Sequence, residues 1–352
     1  MIDLRKGDCI SKMKEMEDNS IDFILTDPPY ELGFMGKKWD NTGIAFSKDL
    51  WKEALRVLRP GGYLMAFSGT RTYHRMVVAI EDVGFEVKDM INWTYGSGFP
   101  KALDISKALG KKLGVETASS DKAKQYEGYK TQLKPSHEPI CLAMKPLSEK
   151  NFAENIIKWG NGGLNIDGTR VGYISEKDKN SAGTHSNNGK RDGVYGDYNP
   201  ITTGHDKGQE QGRYPANTII SQDFAPMLDK QSGILKSDGG ASRFFKNIEQ
   251  DENYSPIIYH AKSSKKDRNM SVNGEVLQCN NHTTVKPTGL MKYLLKMGLP
   301  PRDSVVLDMF AGSGSTGVAL EQLNQETGMN HKCILMEMED EHCEIIKKRC
   351  CV

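Results

Sequence analysis

Residues 27–30 read Asp-Pro-Pro-Tyr, a carboxylate and an aromatic separated by two rings that carry no N–H. The apolar run Phe23, Ile24 and Leu25 just before them reads as a buried parallel strand closed by a proline pair. A residue that precedes proline is pushed out of the helical region, and Asp27 and Pro28 both do so, which makes the chain leave the strand stiff and extended. The corner therefore offers a carboxylate and carbonyls but few donors, with an aromatic face beside them. A rigid strand-to-loop turn would need none of that chemistry.

A second group lies near the other end. In "VVLDMFAGSGSTG", Gly312, Gly314 and Gly317 have the G-x-G-x-x-G spacing of a dinucleotide turn between a strand and a helix. Glycine permits the tight turn and the close approach of a ligand to the backbone. Glu337, at the end of the next strand, is 23 residues beyond Gly314. That is near the spacing of about 20 at which a carboxylate reaches ribose hydroxyls. Asp308 and Glu337 could otherwise be solvated acids at strand ends.

These groups need a frame. A chain of 352 residues can hold one large α/β domain with an insertion, or two domains. Charged residues make up 26% and the net charge is +1, so any polyanion site must be local rather than a global basic field. Seven cysteines without a C-x-x-C pair point to reduced thiols in a cytoplasmic protein. The expectation is a soluble chain that neither spans a membrane nor is exported, because no leader or apolar run near 18 residues is seen. No metal site is expected, since His137, His260 and His282 lack ligand spacing.

Residues 1–148 alternate strand and helix signals, with "LWKEALRVLRPGG" read as a helix stopped by Pro60-Gly61-Gly62 and "YLMAFSG" as the following strand. Residues 149–255 are rich in Gly, Asn, Asp and Ser with weak apolar periodicity, and read as an irregular inserted region. Order returns in 256–352, with a helix from about Thr288 and two strand-helix pairs. Two strands cannot make a doubly wound sheet, so the C-terminal strands must join the N-terminal ones. The fold class expected is thus α/β, a Rossmann-like doubly wound and mostly parallel sheet whose ligand-binding half comes last. Asp27 and the glycine turn should open onto one sheet edge.

"DPPY", "FAGSGST" and "HTTVKP" together resemble the β-class of amino-methylating DNA methyltransferases, whose motif order is circularly permuted. The likeness covers roughly 1–146 and 256–352, and "HEPICLAMKP" and "ENIIKWGNGGLNIDG" are similar to phage or prophage orphan modification enzymes. The resemblance implies S-adenosylmethionine as cofactor, double-stranded DNA as partner, and a chain that often forms a homodimer. It implies a catalytic set of Asp27, Pro28, Pro29 and Tyr30. For the cofactor it implies Asp8, Cys9, Asp27, Lys286, Asp308, Phe310, Gly312, Gly314, Thr316 and Glu337. One departure is Thr283, where the family commonly has proline.

The residues support a mechanism. An exocyclic amino group has its lone pair delocalised into the ring, and acceptors such as Asp27 and the Pro28 carbonyl could hold its hydrogens. Tyr30 would stack on a base flipped from the duplex. Aspartate at the first position favours adenine N6 within the family, with cytosine N4 the alternative and a nicotinamide-dependent oxidoreductase the reading from another class. Weaker candidates are Lys37, Lys38 and Trp39 as a closing loop, and Lys262, Lys265, Lys266 and Arg268 for phosphates. Lys190, Arg191, Arg213 and Arg243 are candidates for base readout, against solvated loop charges.

Overall fold

The computed structural model describes residues 1–33, 40–96, 102–116, 120–182, 210–221, 224–234, 239–248, 265–277, 280, 282 and 284–352. Its strands are β1 (Ile2–Lys6), β2 (Ile21–Thr26), β3 (Leu58–Phe67), β4 (Glu86–Thr94) and β5 (His137–Met144), followed by β6 (Thr218–Ser221), β7 (Lys246–Ile248), β8 (Val305–Asp308) and β9 (Lys332–Glu337). Among the described residues these nine form one sheet in the order β1-β9-β8-β2-β3-β5-β4-β6-β7. Only β5 runs against its neighbours, so the sheet is mostly parallel.

Every residue of β2 is buried, as a central strand covered on both faces requires. Phe23 and Leu25 enter one core with Leu290, Leu294 and Val318 from the helices Thr288–Gly298 and Ser315–Thr327. Ile24 enters the other with Leu50, Trp51 and Ile80 from the helices Lys48–Val57 and Tyr73–Asp82. Burying each such side chain contributes about 1.5–3 kcal/mol. The alternation along one strand therefore fixes the sheet between two helical layers.

From β8 the chain turns outward through a helix to β9, and from β2 it turns the opposite way to β3. Such a divergence opens a crevice at the carboxyl ends of the two strands, the usual ligand position in open α/β sheets. The permuted order is visible at the termini. β1 pairs with β9 in parallel, and the Cys333 amide donates to the Met1 carbonyl at 3.0 Å. Joining the C-terminal helix Asp340–Cys350 to β1 would give an unbroken strand-helix run.

Two local readings change. The helix ends at Val57, before the Pro60-Gly61-Gly62 signal, and β3 already begins at Leu58. The glycines sit inside the strand because another segment crosses there: a Cβ at Gly61 would lie 2.5 Å from Asn155 Nδ2 and 2.9 Å from the Asn161 carbonyl oxygen. Within 149–255, β6 and β7 extend the sheet beyond β4, in parallel. Their weak periodicity reflects their length, four and three residues. No helix among the described residues is long and apolar enough to cross a membrane.

Candidate active site

Two carboxyl ends meet at the crevice. β2 pairs with β8 through Phe23 opposite Val306 and Ile24 opposite Leu307. Beyond this ladder, Thr26 Oγ1 donates to Asp308 Oδ1 at 3.0 Å and accepts from the Met309 amide at 3.2 Å. Asp308 also accepts from Thr316 Oγ1 at 2.5 Å and from the Phe310 amide at 3.1 Å. Both of its oxygens are thus taken, and it staples the end of β2 to the glycine turn. Burial pushes its carboxyl up to about 6, against the opposing pull of those hydrogen bonds.

The turn after β8 takes the predicted shape. Gly312 and Gly314 hold φ of +53° and +80°, in the left-handed region that favours glycine. Gly314 caps the helix Ser315–Thr327. The Gly312 amide donates to Glu337 Oε2 at 2.8 Å, and the amides of Met338 and Glu339 donate to Glu337 Oε1 at 3.0 and 2.9 Å. Although burial opposes it, these bonds and His342 hold the Glu337 carboxyl below its ordinary value. Phe310 is half-buried at the same turn.

The neighbouring β1 end supplies Asp8 and Cys9. The Gly7 amide donates to the Glu337 carbonyl at 2.9 Å, which brings that end beside the turn. Asp8 caps the helix Cys9–Lys14, accepting from the Ser11 amide at 2.9 Å. Cys9 is buried with Met13 and Ile21 in the core, and burial pushes its thiol up to about 12.

Above the turn lies the segment that ends in Lys286 and Pro287. His282 rests on Gly312, where a Cβ would come 3.1 Å from its Nε2, and meets His342 edge-on at 4.4 Å. Burial pushes the His282 imidazole down to about 4. Four residues later, Lys286, only 4% exposed, pairs with Asp27 Oδ2. Burial lowers the Lys286 ammonium, and the Asp27 carboxylate pulls it back up.

At the acid corner itself, Asp27 Oδ1 is buried and has no hydrogen-bond partner among the described residues. Pro28 is buried; Pro29 and Tyr30 are half-buried. The Tyr30 carbonyl accepts from Thr72 Oγ1 at 2.7 Å, and its phenol donates to Glu138 Oε2 at 2.7 Å. The structure thus brings Asp27, Tyr30, Lys286 and the β8 turn to one edge. It adds Glu138, which sequence reasoning did not single out, although "HEPICLAM" contains it.

The basic candidates fare differently. Arg213 and Arg243 converge on Asp178, which is fully buried: Arg213 Nη2 lies 2.5 Å and Arg243 Nε 2.9 Å from its Oδ1. Both are held inside the fold rather than presented to a groove. Arg268 donates to the His282 carbonyl. Lys37, Lys38, Trp39, Lys190, Arg191, His260, Lys262, the Lys265 side chain and Thr283 lie outside the described residues.

Known proteins resemble this chain in sequence and in fold. A family model described as DNA methylase, for N6 and N4 methyltransferases, matches residues 21–348. The chain is 29% identical to the Type II methyltransferase M.HindIII of Haemophilus influenzae, across 92% of this chain and 89% of that protein. It is 36% identical to the Type II methyltransferase M.HpaI of Haemophilus parainfluenzae, across 28% of this chain and 34% of the relative. Its fold is similar to that of the cytosine-N4-specific PvuII DNA methyltransferase, with a TM-score of 0.51 at 14% identity, covering 99% of this chain and 86% of that one.

Proposed function

The chain belongs to the N6/N4 DNA methylase family, and from that premise we propose that it methylates the N6 amino group of adenine in double-stranded DNA. The observation that carries this reading is the orphaned Oδ1 of Asp27, a buried acceptor placed at the end of β2 beside the β8 turn. A buried carboxylate oxygen without a donor is costly unless a ligand supplies one, and an exocyclic amino group has two hydrogens to give. Aspartate at this position, where the resemblance associates serine with cytosine N4, supports adenine.

S-adenosylmethionine, the methyl donor of the family, supplies an electrophilic methyl group when bound. The residues at the β8 turn fit such a group: Gly312 and Gly314 give a backbone that a ligand can approach, and Phe310 and Glu337 flank it. Asp8 and Cys9 follow the Gly7 amide that donates to the Glu337 carbonyl, Lys286 pairs with Asp27, and the Thr316 bond to Asp308 holds the turn to the end of β8. In the reaction, Asp27 Oδ1 and the Pro28 carbonyl accept the amino hydrogens and turn the nitrogen lone pair outward. Asp27 stabilises the positive charge that develops on that nitrogen. Tyr30 stacks on the extruded base, offsetting part of the few kcal/mol that flipping costs.

DNA readout is assigned to residues 149–255, between the catalytic half 1–148 and the cofactor half 256–352. In support, β6 and β7 run parallel to β4, so their carboxyl ends lie at the same edge as Asp27. The test is to incubate the protein with unmethylated plasmid DNA and methyl-labelled S-adenosylmethionine, then digest to nucleosides for mass spectrometry. Labelled N6-methyladenine is expected. Labelled N4-methylcytosine would overturn the acceptor, and no label at all the activity.

A further inference from the structure

Glu138 is a buried carboxylate that the mechanism above does not use. It is 3% exposed, and a charge so placed persists only among donors and counter-charges. Tyr30 OH lies 2.7 Å from Oε2, Tyr95 OH lies 3.3 Å from Oε1, and Lys286 Nζ lies 3.7 Å from Oε2. Tyr30 belongs to the acid corner, and Lys286 pairs with its Asp27. The Lys286 ammonium also faces the rings of Tyr30 and Phe67, at 5.2 and 4.8 Å.

Glu138 reaches the corner because of strand direction. β5 is antiparallel to β3 and β4, so its first residues lie at the edge where β2 and β3 end. The Ser68 amide, just past β3, donates to the Pro139 carbonyl at 3.0 Å and pins that start. Glu138 is therefore mounted on a rigid strand rather than a loop.

We propose that Glu138 is a positioning residue for methyl transfer, fixing the Tyr30 ring through its phenol and sharing the Lys286 cation with Asp27. This rests on the reading of the Asp27 corner as the methylating site. Two carboxylates about one ammonium leave a net negative charge, so Lys286 orients Asp27 without fully neutralising it. Asp27 then keeps an oxygen able to accept an amino hydrogen and to balance positive charge on the nitrogen. Without the charge of Glu138, Lys286 turns wholly on Asp27 and weakens it as an acceptor. Without the phenol bond, Tyr30 is free to tilt.

Three variants separate these effects. Glu138→Gln keeps an acceptor for Tyr30 but removes the charge, Tyr30→Phe leaves the charge of Glu138 but removes the phenol, which also faces Asp27, and Glu138→Ala removes both the charge and the acceptor. Steady-state methylation of unmethylated plasmid DNA gives kcat and KM, and equilibrium binding of labelled S-adenosylmethionine reports the cofactor site. Misplacing a reacting group slightly can cost about a hundredfold. On that scale, kcat should fall about tenfold in Glu138→Gln and Tyr30→Phe and about a hundredfold in Glu138→Ala, with cofactor affinity within about twofold of wild type. Glu138→Gln and Glu138→Ala turning over within about twofold of wild type would overturn the proposal. So would a kcat loss matched by an equal loss of cofactor affinity in Glu138→Gln, which would make the role structural. A wild-type protein that transfers no methyl group would remove the functional reading itself, an outcome seen before any variant is compared.

Discussion

Asp22 and Asp27 stand at the two ends of the same strand, and both are acids held by cations, yet their surroundings differ. Asp22, 1% exposed, has its needs met: Arg59 pairs with Oδ1, Arg302 Nη2 lies 2.6 Å from the same oxygen, and the Val305 amide donates to Oδ2 at 2.8 Å. Asp27 has Lys286 on Oδ2 and, among the described residues, no donor on a buried Oδ1. A saturated acid ties elements together, whereas one left with an open oxygen waits for a donor from outside. Asp178, clamped by Arg213 and Arg243, belongs with Asp22. Charge and a cationic partner are common to all three acids; among them the open oxygen sets Asp27 apart.

Asp27→Ala should break the comparison most sharply. Loss of a preorganised electrostatic partner typically costs a hundred- to a thousandfold, and we expect a fall in kcat of about a thousandfold with labelled S-adenosylmethionine still bound. Turnover within tenfold of wild type, as an order-of-magnitude limit, would move the reaction away from this corner.

Asp22→Ala should show the opposite profile. Breaking a buried ion pair costs about 3–5 kcal/mol, and the lower end applies because Arg59 and Arg302 keep a path to water. Denaturant unfolding should register that loss while kcat of the folded fraction is little changed. A catalytic defect without destabilisation would erase the distinction between the two ends of β2.

Gly312→Ala probes the other side of the crevice. A side chain at φ +53° costs about 1–2 kcal/mol, and the added Cβ would press on His282. Cofactor titration should show the weakening, with DNA binding retained. Unaltered affinity would mean that the turn does not contact the cofactor.

A pH dependence is expected at Asp308, which lies between the two sides. Its carboxyl is raised from 3.8 to about 6, so the folded state holds the proton more tightly than the unfolded one. Stability from this group is therefore unaffected below about pH 4, declines as pH rises to about 6, and stays reduced above. Asp308→Asn cannot ionise. Its Tm relative to wild type should rise between those limits and then level off, and a pH-independent difference would show that ionisation there is not penalised.

Much of this was legible in the sequence because it is local. The buried run of β2, the proline-braced corner and the glycine turn each lie within about a dozen residues and follow from backbone restrictions and apolar spacing. The end of the helix at Val57 was not, since Gly61 and Gly62 answer to the close approach of Asn155 and Asn161 rather than to the helix. Arg213 and Arg243 read from the sequence as solvated loop charges or candidates for base readout, because a sequence shows charge without showing Asp178 between them.

The sequence by itself determined which residue types could hold an amino group and a nucleotide-containing donor, and that two halves of the chain had to combine. Only the tertiary structure decided that Lys286 meets Asp27 across 259 residues and that Glu138 meets Tyr30 across 108. Those pairings follow from the direction of β5 and the divergence of β2 and β8. Neither leaves a local pattern, because contacts between distant segments are set by how the sheet is assembled rather than by neighbouring side chains.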